Sequence, residues 1–179
     1  IKEAKSDWVL FVDSDEELSQ DLIEDILKMK NDENYNGFSV VRKDIFLGKK
    51  LNFGETGRAV ITRMVRKSKG GWERLVHERL VVSGKTKTLK GFVVHHHGRN
   101  MASYINSINK YSSLHAVANR KENKQSSLPK IIFYPILKFL YIYIYKLGIL
   151  DGTHGFVAAS NASLHSFLSW SKEYFDEKI

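Results

Sequence analysis

Residues 7–19 read DWVLFVDSDEELS. An apolar run, Trp8-Val9-Leu10-Phe11-Val12, stops at Asp13-Ser14-Asp15-Glu16-Glu17, which sets four carboxylates at its tip. A short continuous apolar run bounded by charge is the pattern of a strand buried on both faces, as in a parallel sheet. The chain of 179 residues carries a formal net charge of +8, so negative charge concentrated here needs a local reason. Helix capping is one: Ser14 with Glu17 fits a capping box, and acidic residues suit the positive end of a helix. A divalent-cation site is another. Asp13 and Asp15 stand two apart at the carboxyl end of the strand, where open α/β sheets bind ligands. Both carboxylates can turn toward one hard cation, Mg2+ or Mn2+, which in such sites also holds substrate phosphates. A calcium loop fits poorly, because the sixth position from Asp13 is Leu18 and such loops need Gly there.

Working outward, Leu18, Leu22, Ile23, Ile26, Leu27 and Met29 recur at helical spacing and predict a helix of about 14–15 residues. Strands are expected at Gly37–Arg42, Ala59–Arg66, Arg79–Val82 and Gly91–His97, with a Gly-rich loop at Gly48–Gly57 and a tight turn at Gly70-Gly71. From about Ala102 the period becomes helical, with Tyr104, Ile105, Ile108, Tyr111, Leu114 and Ala118 on one face. Arg120–Pro129 reads as a polar linker, followed by helices at Lys130–Leu147 and Gly155–Phe175. A sheet first and helices last make an α/β domain with a helical tail.

Composition narrows the class. Hydrophobic residues at 42% with 27% charged fit a globular protein rather than a disordered one. The absence of cysteine excludes disulfides and thiolate metal sites and suits a reducing compartment. A pI near 9.5 fits an anionic partner: nucleic acid, an anionic membrane surface or phosphate groups. The opening IKEAKSDW has no initiator Met, and Ile1–Lys5 reads like the end of a helix, so a longer parent chain is expected.

DWVLFVDSDEELS resembles the strand and Asp-x-Asp signature of family 2 glycosyltransferases with the A-type fold. Three further stretches follow in the order of one branch of that family, the lipopolysaccharide-core β-glucosyltransferases. RMVRKSKGGWERLVHERLVVSGKTKTLKG resembles its arginine-strand, Trp, Val-His-Glu, Gly and Leu pattern. HHHGRNMASYINSINKYSSLHA resembles its His followed by a Lys/Arg-Tyr helix. YPILKFLYIYIYKLGILDGTHGF resembles its membrane-proximal helix ending in Leu-Asp-Gly and Gly-Phe. The resemblance runs from about Ala4 to Phe175. It implies a partial A-type fold, a Rossmann-like mixed sheet with a carboxyl-terminal helical extension. Residues 1–120 would be the carboxyl-terminal part of the catalytic domain, and residues 121–179 a helical, membrane-proximal extension. The amino-terminal βαβ portion that holds the nucleotide base in the family would precede Ile1.

The implied activity is a metal-dependent, inverting transfer of a sugar from a nucleotide-sugar donor to a lipid-linked or cell-surface glycan, such as a lipopolysaccharide core. By the resemblance, Asp15, assisted by Asp13, holds Mg2+ or Mn2+ on the donor diphosphate, and His95 is a metal or diphosphate contact. Glu78 of Val76-His77-Glu78 is the expected general base, with a salt bridge to Arg74 or Arg79 as the ordinary alternative. His77, Trp72 and Arg99 are expected to bind substrate; His77 could instead tune Glu78, and Trp72 could simply bury its ring. Arg99 and Lys110 suit phosphate or a solvated basic face equally. Strand alternation sends His95 and His97 to one face and His96 to the other.

The apolar run Ile131–Leu150 is long enough to span a bilayer, yet it contains Lys138 and Lys146, with Pro135 near its start. On a helix, Lys130, Tyr134, Lys138, Tyr141 and Tyr145 form one narrow stripe, and Tyr and Lys suit the headgroup level. An interfacial helix is preferred over a spanning one, and packing on the domain is the alternative. The expected location is peripheral, on the cytoplasmic face of the inner membrane. Two other functions fit less well. A haloacid-dehalogenase-like phosphatase also places Asp-x-Asp after a strand but wants Thr or Val where this chain has Glu17. A basic nucleic-acid-binding module fits the charge, but no binding motif supports it, and nucleic acid is not an expected partner.

Overall fold

The computed structural model describes residues 1, 3–55, 57, 59–73, 79–97 and 100–175, His97 by its backbone alone. In chain order the elements are β1 (Trp8–Leu10), β2 (Glu16–Leu18), α1 (Gln20–Met29), β3 (Gly37–Phe46), β4 (Lys49–Lys50), β5 (Ala59–Arg66), β6 (Gly70–Glu73), β7 (Arg79–Val82), β8 (Thr86–His97), α2 (Met101–Lys121), α3 (Leu128–Leu140) and α4 (Thr153–Tyr174). A π-helical stretch, Tyr141–Tyr145, and a 3-10 turn, Gly148–Asp151, join α3 to α4. The α/β class expected from the sequence is the class observed.

The chain forms two compact units, Ile1–Ile45 with Thr56–His96, and Phe46–Glu55 with His97–Ile179. The second includes α2, which packs against α4.

In the first unit five strands run in the order β1-β5-β3-β8-β2, and β6 pairs with β7 as a separate ribbon. The expectation of a parallel strand buried on both faces is corrected. Among the described residues β1 pairs with β5 alone, antiparallel, in register Trp8↔Arg66, Val9↔Val65 and Leu10↔Met64, and all three residues are half-buried. Only alternate side chains, Trp8 and Leu10, pack on the core of Leu22, Phe38, Val40, Met64, Leu89 and Val93. Burying each large side chain of that core contributes ~1.5–3 kcal/mol.

The predicted helix also starts later than its apolar spacing suggests. Leu18 belongs to β2, whose register on β8 is Glu16↔His95, Glu17↔Val94 and Leu18↔Val93. Ser19, not Ser14, is the N-cap: its Oγ accepts the Leu22 N–H at 3.3 Å and the Phe92 N–H at 3.0 Å. One hydroxyl therefore both starts α1 and ties it to β8. The approach is close enough to require Gly91, where an added Cβ would stand 2.2 Å from the Leu22 nitrogen. After α1, Asp32 accepts from the Asn34 backbone and side-chain N–H groups, both at 2.9 Å. These bonds hold its carboxyl below the usual carboxylate range.

In the second unit α4 packs on both α2 and α3. The α2–α4 contact is polar: the buried Lys172 ammonium reaches the Asn109 carbonyl (2.8 Å), Asn109 Oδ1 (2.7 Å), Ser112 Oγ (3.1 Å) and Ser113 Oγ (2.7 Å). Asp151, also buried, accepts the N–H groups of Asn52 (3.1 Å) and Phe53 (2.9 Å), while Lys49 Nζ donates to its carbonyl at 3.0 Å. The linker expected at Arg120–Pro129 is shorter than that, since α2 continues to Lys121 and α3 begins at Leu128. Pro129 sits in the first turn of α3, where a missing N–H costs nothing. The aliphatic surface of α3 and the π-helical stretch is mostly exposed.

Candidate metal and diphosphate site

The four carboxylates after β1 fall to three partners, Arg63, His95 and His96. Phe11 N–H still donates to the Arg63 carbonyl at 2.8 Å, and the chain then leaves the sheet. It closes a turn in which Glu16 N–H donates to the Asp13 carbonyl at 3.0 Å, and Asp13 N–H donates to Glu16 Oε2 at 3.1 Å. The Glu16 side chain is fully buried and paired with Arg63. The same guanidinium holds Asp13 Oδ2 at 2.7 Å. A buried carboxylate without such a partner would cost several kcal/mol, about 3–5 when a partner is removed. Glu17, on the exposed side, lies 3.4 Å from His96.

Asp15 Oδ2 stands 3.4 Å from His95 Nε2, and its carbonyl accepts the His96 N–H at 3.0 Å. The other ring nitrogen of His95, Nδ1, is 2.7 Å from Oδ1 of the fully buried Asp44. Arg42 Nε lies 3.2 Å from that carboxylate oxygen. Arg42 and Asp44 alternate on β3, and β3 neighbours β8 in the sheet, which brings these side chains to one face.

Among the expected site residues the structure thus brings together Asp15 and His95. Asp13 Oδ2 is engaged by Arg63. His95 is buried, His96 exposed, as alternation requires. Trp72 lies on β6, partly exposed, with its ring edge-on to Phe11 at 4.9 Å and 82°. Glu78, His77 and Arg99 lie outside the described residues, as does Arg74. Lys110 is exposed on α2. Sequence reasoning missed Arg63 and Asp44. The available signal was a charged residue within a strand pattern, Arg63 in AVITRMVR and Asp44 in FSVVRKDIF.

The carboxylate of this pair suits Mg2+ or Mn2+, and the imidazole suits a more borderline cation, which favours Mn2+ of the two. A carboxylate and an imidazole nitrogen face each other, and the imidazole is held from behind by a carboxylate, the arrangement that orients metal-ligating histidines. Among the described residues no group of three or more His, Cys, Asp or Glu side chains is placed to hold a metal by itself. A cation here would take its remaining positions from substrate oxygens and water, the habit of Mg2+ in phosphate-handling sites.

The profile of glycosyl transferase family 2 matches residues 1–108, the stretch that carries all of these strands. The chain is 28% identical over 185 residues to the lipopolysaccharide core biosynthesis glycosyltransferase LpsC of Rhizobium meliloti (strain 1021), covering 97% of this chain and 66% of that protein. It is 28% identical over 182 residues to the uncharacterized glycosyltransferase RP128 of Rickettsia prowazekii (strain Madrid E), covering 93% and 62%. RT0209 of Rickettsia typhi (strain ATCC VR-144 / Wilmington), also named an uncharacterized glycosyltransferase, is 27% identical over 182 residues with the same coverage. The chain therefore spans just under two thirds of the curated relatives it matches. The phosphatase reading ends here, since the matched family is a different one. With the family profile covering more than half of the chain and the Asp15–His95 pair inside it, the chain belongs to glycosyl transferase family 2.

Proposed function

We propose that this protein transfers a sugar from a nucleotide-sugar donor to a lipid-linked or cell-surface glycan, such as a lipopolysaccharide core, with inversion and with Mg2+ or Mn2+. The observation that carries the reading is Asp15 beside His95 at 3.4 Å, just past the end of β1 in the family 2 region. The Asp15 carboxylate and the His95 imidazole hold the cation, and Arg63 fixes the turn that presents Asp15. When bound, the cation neutralises charge developing on the departing diphosphate. Glu78 accepts the proton of the acceptor hydroxyl as that oxygen bonds to the anomeric carbon. The bond from that carbon to the diphosphate oxygen breaks, and its electron pair leaves with the nucleoside diphosphate. Trp72, His77 and Arg99 bind the substrates. The name of the Rhizobium relative supports a lipopolysaccharide acceptor, and the exposed aliphatic helix surface supports work at a membrane, as a peripheral protein on its cytoplasmic face.

The test is thermal. Mn2+ with a nucleoside diphosphate is expected to raise Tm more than either alone. A rise with duplex DNA, and none with Mn2+ and the diphosphate, would replace this reading with a nucleic-acid-binding module.

A further inference from the structure

We propose that Asp44 is a positioning residue for His95, holding the imidazole by Nδ1 so that Nε2 faces Asp15 and the cation bound there. The inference rests on the reading of Asp15 and His95 as the protein's cation ligands. It goes further by assigning a task to a carboxylate on a different strand, 51 positions away in sequence.

Burial is the first argument. The Asp44 side chain has no solvent exposure, and a carboxylate is kept in such a place only by close partners. Arg42 supplies compensating charge at 3.2 Å, and the His95 ring supplies a 2.7 Å contact. Direction is the second. A carboxylate is an acceptor, so the 2.7 Å contact at Nδ1 places a proton on that nitrogen, and Nε2 is the nitrogen whose lone pair is then available to a cation held with Asp15. The tautomer of a histidine is set by the partner of its other nitrogen. Rigidity is the third. His95 sits inside β8, its neighbour Val93 belongs to the buried core, and the His96 N–H bond to the Asp15 carbonyl fixes the spacing of the pair from the backbone. A ligand so held loses little freedom when the cation binds.

The experiment uses the intact protein, with Mn2+ alone as the probe and binding read by electron paramagnetic resonance. Asp44→Ala should weaken Mn2+ binding by about 10–100-fold, the usual effect of losing the partner behind a metal-ligating histidine. Asp44→Asn, whose amide oxygen can still accept the Nδ1 proton, should retain most of the affinity. Nitrogen-15 NMR of the unsubstituted protein, which needs no variant to fold, should show the His95 proton on Nδ1. An Nδ1 without its proton there, or Mn2+ binding unchanged in Asp44→Ala, would overturn the assignment. Asp15→Asn separates the two levels. Loss of Mn2+ binding in Asp15→Asn with none in Asp44→Ala overturns only the role of Asp44, whereas no loss in Asp15→Asn overturns the cation site and this inference together.

Discussion

The guanidinium of Arg63 holds Asp13 Oδ2 at 2.7 Å and, from the same Nη2, the buried carboxylate of Glu16. One arginine on β5 thus closes the turn that follows β1. The Asp13 half of this clamp is exposed and worth ~0–1 kcal/mol. The Glu16 half is not exposed, and it decides the outcome. Arg63→Ala should destabilise the fold by about 3–5 kcal/mol, since it leaves the Glu16 carboxylate buried and unpaired. Adding Glu16→Gln should restore part of the loss in urea unfolding. A loss under about 1 kcal/mol for Arg63→Ala would mean that water replaces the guanidinium.

Asp15 is the complementary case. Its side chain is about half exposed, 3.4 Å from the His95 ring, and its backbone carbonyl makes the shorter bond to β8, from the His96 N–H. Asp15→Asn should therefore change stability by no more than about 0.5 kcal/mol, while abolishing metal-dependent transfer. Turnover equal to the parent protein, measured with Mn2+ and saturating donor, would remove Asp15 from the cation site.

Glu78→Gln should behave differently. It should lower kcat by about 10²-fold or more with little change in donor affinity, the signature of a lost general base. Full turnover would shift that role to another carboxylate, with Glu73 the nearest in sequence.

Much of the scaffold was legible because its pattern is local. The apolar residues of Ala59–Arg66 and Arg79–Val82 mark β5 and β7 at their observed ends, and helical spacing from Ala102 onward marks α2. The misreadings share a cause. Glu16-Glu17-Leu18 has no strand pattern of its own; its pairing with β8 makes it a strand. The apolar run of β1 looks like a parallel strand, yet it pairs with β5 antiparallel, a pairing set by residues more than 50 positions away. Within the site, Asp15 and His95 were legible by residue type and by resemblance. Asp44 and Arg63 were not, since their partners lie about 50 positions away and only sheet order brings them together.

Asp151 anchors the segment from Lys49 to Phe53 through two backbone N–H groups and its own carbonyl. Asp151→Ala leaves those N–H groups without their acceptor and should cost ~1–3 kcal/mol. Hydrogen exchange at the Asn52 and Phe53 amides should accelerate markedly. Asp151→Asn keeps one acceptor oxygen and should be milder. Unchanged exchange in Asp151→Ala would show that other contacts hold the segment.

Leu128–Tyr145 is long and apolar enough to cross a membrane by length and composition, and only 11% of it is buried. Phe133, Leu137 and Ile144 are each more than half exposed, a larger apolar surface than an ordinary solvent-facing helix presents. Its charges argue for lying at the surface. Lys138 is paired with Glu55 at 2.6 Å, and Lys146 sits over the Tyr141 ring at 5.6 Å, so both cations stay beside aromatic or polar groups that suit a headgroup layer. We predict sedimentation with anionic liposomes and partial release by salt, each basic residue near the surface contributing ~1 kcal/mol. Lys138→Glu with Lys146→Glu should weaken binding without unfolding the sheet. Lys146→Glu alone is the cleaner variant, because it leaves the Glu55 pair intact. Equal binding to neutral and anionic vesicles would refute the electrostatic part, and retention in membranes through alkaline carbonate washing would mean that the helix spans. Absence of vesicle binding would leave α3 as a packing element that α4 covers on one side.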